Sequence, residues 1–144
     1  MHRVVLDPGV FVSALLFPEG PPAQILKAVR AGRCRLVVSP LLLMELGTVL
    51  RRPKLQRLIS LDESLALDAE LRRVAEVVAD PEVRERVVRD PEDDYLVALA
   101  QAAGVDALVS GDRDLLEVAD PRPPILDPRS FLDALRASRE ELRD

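Results

Sequence analysis

The 144-residue chain contains one histidine, one cysteine, no tryptophan and no asparagine. A single thiol, Cys34, excludes an internal disulfide framework and any cysteine-cluster metal site, as expected in a reducing compartment. His2 stands alone beside the first residue. No Ser–His–Asp or Cys–His pair, HExxH helix or histidine zinc cage can therefore be built. Lys27 and Lys54 are the only lysines, so arginine supplies the other 18 of the 20 basic residues. That usage suits a thermophile and equally a biased genomic base composition. Aromatic residues make up 3% of the chain (Phe11, Phe17, Tyr95 and Phe131), which leaves little material for stacking unpaired bases. No run of about 20 apolar residues exists, so no membrane span is expected. The opening MHRVVLD lacks the apolar stretch of a signal peptide, and a cytoplasmic location is expected.

What remains is a soluble globular composition: 48% apolar, 31% charged, and 25 acidic against 20 basic side chains for a net charge of −5. The length suits a single domain over residues 1–144 with a core of its own. Any chemistry must come from carboxylates, hydroxyls and arginines.

The hydrophobic pattern alternates strand and helix. Arg3–Leu6 reads as a buried strand ending at Asp7-Pro8-Gly9, and Val10–Phe17 as a short helix stopped by Pro18 and Gly20. Pro21-Pro22 opens a second helix that Gly32 punctuates. Arg35–Val38 is the next strand, and Ser39-Pro40 starts a helix to about Arg51. Pro53–Ile59 and Asp62–Val77 read as a helical hairpin. Ala79–Arg89 is ambiguous, with Val83–Val88 either a loop or an edge strand. Asp90-Pro91 starts a helix that Gly104 closes. Ala107–Ser110 is a strand, Arg113–Val118 a short helix, Pro124–Leu126 a last strand, and Asp127-Pro128 caps a terminal helix. Strands separated by helices predict an α/β three-layer sandwich with a central, mainly parallel sheet.

In such sheets ligands bind beyond the carboxyl ends of the strands. Asp7 ends the first strand, Asp112 follows the Ala107–Ser110 strand, and Glu45 lies one turn into the helix after the second. Asp93 sits at the start of another helix. At 100° per residue Glu45 projects about 40° from Val49, between it and Leu41 and off the solvent side. Asp93 projects about 60° from Leu96 and close to Ala100, whereas Asp94 projects about 160° away. An inward ionised carboxylate is expensive unless it is paired or coordinates a cation. Each acid also has a simpler reading: turn former for Asp7, helix caps for Asp93 and Asp112, an arginine partner for Glu45. Clustered carboxylates without His or Cys suit Mg²⁺ or Mn²⁺, held by one or two carboxylates plus substrate phosphate oxygens. Hydrolysis of a phosphodiester is the natural chemistry of such a site.

The ordered segments VVLDPGVFVSALL, SPLLLMELGTVLRRPKL and RDPEDDYLVALAQAAGVDALVSGDRDLL resemble the PIN-domain ribonucleases, in particular the toxins of toxin–antitoxin systems. The resemblance runs from about Val4 to Phe131. It implies Asp7, Glu45, Asp93 and Asp112 as catalytic and metal-binding acids, with Asp114 as a further metal ligand. It also implies cleavage of single-stranded RNA by water, dependent on Mg²⁺ or Mn²⁺, leaving a 5′-phosphate and a 3′-hydroxyl. Ser110 occupies the family's Thr/Ser position and is expected to support the fourth acid or contact phosphate; Ser13 is a weaker supporting candidate. A homodimer and an antitoxin protein partner are further implications.

One departure stands out. The family's Thr-Asn after the first Asp is Pro8-Gly9 here. Pro8 favours an extended Asp7, but neither residue brings a side-chain hydrogen bond, and loss of such support typically costs about 10–100-fold in metal affinity or activity. A weakened enzyme, or a non-catalytic RNA-binding or protein-interaction module, is the alternative. A haloacid-dehalogenase-like phosphatase fits less well. Its chemistry wants a second Asp two residues after the first, where this chain has Gly9. Arg51, Arg52, Lys54 and Arg57 form a basic cluster that is a candidate RNA-binding surface in an otherwise acidic chain, and equally a solvated helix face.

Overall fold

A computed structural model describes residues 2–82 and 94–141. The elements run β1 (His2–Leu6), α1 (Pro8–Leu16), α2 (Pro21–Arg30), β2 (Cys34–Val38), α3 (Pro40–Leu50), α4 (Pro53–Gln56), α5 (Leu61–Val74), β3 (Glu76–Val77), α6 (Asp94–Ala103), β4 (Ala107–Val109), α7 (Arg113–Leu116), β5 (Ile125–Leu126) and α8 (Pro128–Glu141). The strands form one sheet in the order β3-β2-β1-β4-β5, and every neighbouring pair is parallel. The sheet is therefore wholly parallel among the described residues.

Short apolar runs explain the central strands. Val4–Leu6, Leu36–Val38 and Val109 are fully buried, as expected of strands covered on both faces. Parallel neighbours need crossover helices, and right-handed crossovers send the β1–β2–β3 connections over one face and the β3–β4–β5 connections over the other. The packing agrees: α2 lies on β2 and against α8, while α6 lies on β1 and β4. One apolar core, including Phe11, Ile25, Leu99 and Phe131, joins these layers.

Helix boundaries follow local chemistry. Pro occupies the first turn of α1, α2, α3 and α4, where its missing N–H costs nothing. Gly32 and Gly104 take positive φ of 75° and 64° just past α2 and α6, the left-handed geometry that ends helices.

Two expectations need correction. The hairpin's second helix opens at Leu61, not Asp62, because Ser60 and Glu63 close a reciprocal capping box. It also ends at Val74, short of Val77. Glu76 and Val77 instead form the edge strand β3 beside β2, with Val78 N–H donating to the Val38 carbonyl at 2.9 Å. Arg3 reinforces that change across the sheet. Its guanidinium reaches both oxygens of Glu76 at 3.1 Å and the Ala103 carbonyl at 2.7 Å. Both the Val83–Val88 segment and the Asp90-Pro91 helix start lie outside the described residues.

Candidate active site

Three polar or charged residues are buried among the described ones: Asp7, Ser39 and Ser110. Each is the first residue past a strand, β1, β2 and β4 respectively. These three strands are neighbours, so the buried polar groups line the carboxyl edge of the sheet's centre. From β1 the chain crosses to β2 on one side, whereas β4 arrives on the other. The strand ends where connections diverge are the usual ligand position of open parallel sheets. Asp7 stands at the end of β1 and Ser110 to Asp112 follow the neighbouring β4.

Asp7 is anchored from several directions. Its main-chain N–H donates to the Val109 carbonyl at 3.0 Å, continuing the β1–β4 pairing. Its Oδ1 accepts the Val10 N–H at 3.2 Å as the N-cap of α1. The Gly9 N–H lies beside the same carboxylate and favours its charged form. From the end of the neighbouring β4 Ser110 Oγ donates to Oδ2. Ser110 Oγ in turn accepts the Asp112 N–H at 2.9 Å, so one hydroxyl ties the two acids' positions together. Asp112 caps α7 through the Asp114 N–H at 2.9 Å.

The electrostatics favour a cation. Burial pushes the Asp7 carboxyl above its ordinary value; the hydrogen bonds from Ser110 and Val10 and the Gly9 N–H pull it back, and the nearby charge of Asp112 adds to the rise. A largely buried carboxylate with a second one near enough to repel it calls for positive charge, and no described basic side chain forms an ion pair with either acid. A hard divalent cation held by oxygen ligands meets that need, and one or two carboxylates suffice for Mg²⁺. Asp7 and Asp112 fit this role by donor chemistry and position.

Other expected site residues fall differently. Glu45 is half-buried on α3, which packs against α1, and it makes no hydrogen bond or ion pair among the described residues. Asp93 lies outside the described residues. Among those described, no group of three or more His, Cys, Asp or Glu side chains is placed to hold a metal ion. Asp114 is half-buried on α7. Ser13 sits toward the far end of α1 and lines a separate cavity with Phe17 and Pro18. Arg51, Arg52, Lys54 and Arg57 are all exposed. The 11-residue α3 separates them from Ser39 by about 16 Å at 1.5 Å per residue.

Two contributions escaped sequence reasoning. The main-chain N–H groups of Gly9 and Val10 hold Asp7 where side chains at positions 8 and 9 cannot. A Cβ at Gly9 would meet Asp7 Oδ1 at 3.0 Å, so a side chain there would press on the carboxylate. Asp80 joins Ser39 at the start of α3, its Oδ2 accepting the Leu41 N–H at 2.9 Å. The Asp80-Pro81 pair, like Asp7-Pro8, was the available signal.

Comparison with known proteins settles the family. The family model described as PIN domain matches residues 3–114, which include Asp7, Glu45, Asp93, Ser110, Asp112 and Asp114. The chain belongs to the PIN domain family. It is 28% identical over 118 residues to the uncharacterised protein MJ1680 of Methanocaldococcus jannaschii, covering 82% of this chain and 76% of that protein. Among solved structures, the PIN fold here is similar to PAE2754 from Pyrobaculum aerophilum, with TM-score 0.62 and 23% identity over 94% of this chain and 96% of the other. It is also similar to VapBC2 from Rickettsia felis, solved bound to a DNA fragment from its promoter. That likeness has TM-score 0.57 and 14% identity over 87% and 98% of the respective chains. These structural likenesses concern the fold. No described helix is long and apolar enough to cross a membrane.

Proposed function

We propose that this PIN domain is a ribonuclease that hydrolyses phosphodiester bonds of single-stranded RNA with Mg²⁺ or Mn²⁺. The observation carrying this reading is the buried, backbone-anchored Asp7 carboxylate beside Asp112, at the point where the sheet's connections diverge. Asp7 and Asp112 hold the cation, with Glu45, Asp93 and Asp114 as further acids of the site. When bound, such a cation neutralises phosphate charge and makes water a better nucleophile at neutral pH. The chain's own part is positional. Main-chain N–H groups and Ser110 fix Asp7, while Ser110 also sets the turn that presents Asp112. Arg51, Arg52, Lys54 and Arg57 are a surface for RNA phosphates. With no polar side chain at Pro8 or Gly9, the activity is expected to be modest.

The fold shared with VapBC2 supports a place as the toxin of a cytoplasmic toxin–antitoxin pair, with an antitoxin protein as partner. Exposed Met44, Leu58, Leu61 and Leu65 on and between α3, α4 and α5 offer apolar surface for a homodimer. Light scattering on the purified chain tests the dimer, and co-purification with the product of a neighbouring small gene tests the antitoxin.

The deciding experiment is cleavage of end-labelled single-stranded RNA with Mn²⁺, against EDTA and against Asp7→Asn and Asp112→Asn. Expected are metal-dependent cleavage and a Mn²⁺-induced rise in Tm, both lost in the variants. RNA binding without cleavage by the intact chain would overturn the nuclease reading in favour of a binding module.

A further inference from the structure

At the opposite edge of the sheet, where β1, β2 and β4 begin, lies a cavity of about 790 Å³ between α2 and α8. Its lining carries four cations from three segments: Lys27 on α2, Arg33 in the turn before β2, and Arg136 and Arg139 on α8. This concentration runs against a chain of net charge −5. None of the four forms an ion pair among the described residues, whereas Arg3, Arg30 and Arg72 elsewhere each pair with a carboxylate. Arg136 donates to the neutral Gln24 Oε1 at 2.6 Å, and Lys27 to the Pro18 carbonyl at 3.4 Å, so their charges stay unneutralised. The one acid in the lining, Asp106, is engaged by the Arg3 main-chain N–H at 2.8 Å. Ala28, Leu132 and Leu135 give the cavity an apolar floor.

We propose that this cavity binds a nucleoside polyphosphate, remote from the carboxylate site. Three guanidiniums and an ammonium around one opening suit a ligand with several negative charges. Planar guanidiniums match phosphate oxygens in pairs. The apolar floor suits a flat, weakly polar ring rather than a bare inorganic ion. The volume lies within the roughly 300–1,000 Å³ range of small-molecule sites. The bounded volume and apolar floor suit a compact ligand better than an extended strand, so a small ligand is favoured over RNA. The binding site does not depend on nuclease activity.

The test is calorimetric titration of the full chain with GTP, ATP and pyrophosphate at low salt, without divalent metal. Saturable binding of at least one nucleotide is expected, about tenfold or more tighter than pyrophosphate, weakening as salt rises. Arg33→Gln and Arg136→Gln should each lower affinity about tenfold, the loss of a charge-assisted hydrogen bond. Both residues are exposed, so Tm should hold and a folding defect is separable. Asp7→Asn should leave nucleotide binding unchanged; a loss there would place the ligand at the carboxylate site and overturn the proposal. Equal binding of pyrophosphate, tighter binding of a short single-stranded RNA, or no response to either arginine change would also overturn it.

Discussion

Replacing Ser110 by alanine removes one hydroxyl that serves two groups. Its Oγ donates to Asp7 Oδ2 and accepts the Asp112 N–H at 2.9 Å, and the residue is fully buried. Water cannot easily take over. The lost bond to a carboxylate is worth about 1.5–3 kcal/mol, and the orphaned Asp112 N–H adds about 1 kcal/mol. The expected destabilisation is therefore about 2–4 kcal/mol, or about 5–15 °C in Tm for a chain of this size. Urea unfolding and thermal melts of Ser110→Ala measure this directly. Repeating the change in an Asp7→Asn background isolates the Asp7 share. There its cost should shrink by about 1–2 kcal/mol, since contacting residues are not additive. RNA cleavage by Ser110→Ala should fall about 10–100-fold, because the hydroxyl positions both acids. A Tm within about 1 °C of the parent, or identical costs in both backgrounds, would refute the reasoning.

Three further outcomes follow from other parts of the molecule. Gly9→Ala should leave Tm nearly unchanged, since better helix propensity offsets the contact, yet lower cleavage and Mn²⁺ stabilisation, because its Cβ meets Asp7 Oδ1 at 3.0 Å. Paired melts and RNA assays check this, and equal loss of both properties would point to misfolding instead. Burial, helped by Asp106, pushes the Cys34 thiol up to about 12 from 9.0, so the folded state favours the protonated form. That contribution is complete below pH 9.0 and drains away as pH rises toward about 12. Urea midpoints should thus fall more steeply above pH 9.0 for the parent than for Cys34→Ala. Arg3→Ala removes the fork to Glu76 and the link to the Ala103 carbonyl. A cost of about 1–2 kcal/mol is expected, more than Glu76→Gln, and comparison of denaturant midpoints checks the order.

The legible parts of the fold were those fixed by contacts close in sequence. Apolar runs gave β1, β2 and β4, prolines marked helix starts, and Gly32 and Gly104 marked helix ends. The missed start of α5 was also local: the Ser60–Glu63 box was present and Asp62 drew the boundary instead. The missed strand β3 was not local. Glu76 and Val77 continue a helical pattern, and what makes them a strand is the free edge of β2 and the reach of Arg3.

The candidate site divides the same way. Composition alone confined the chemistry to carboxylates, hydroxyls and arginines, and position relative to strand ends picked out Asp7, Glu45 and Asp112, with Asp93 added at a helix start. Sequence also showed that Pro8 and Gly9 bring no polar side chain. Only the tertiary structure showed how Asp7 is held without them. The strand order seats β4 beside β1 and so brings Ser110 against Asp7 across 103 positions of chain. The α1 start turns two main-chain N–H groups onto the same carboxylate. No local pattern encodes the Ser110 contact, whereas the cap at the α1 start had its local signal in Asp7-Pro8. Strand order is decided by the burial of whole apolar faces, and the hydrogen bonds of a buried acid are decided by whatever that packing leaves beside it.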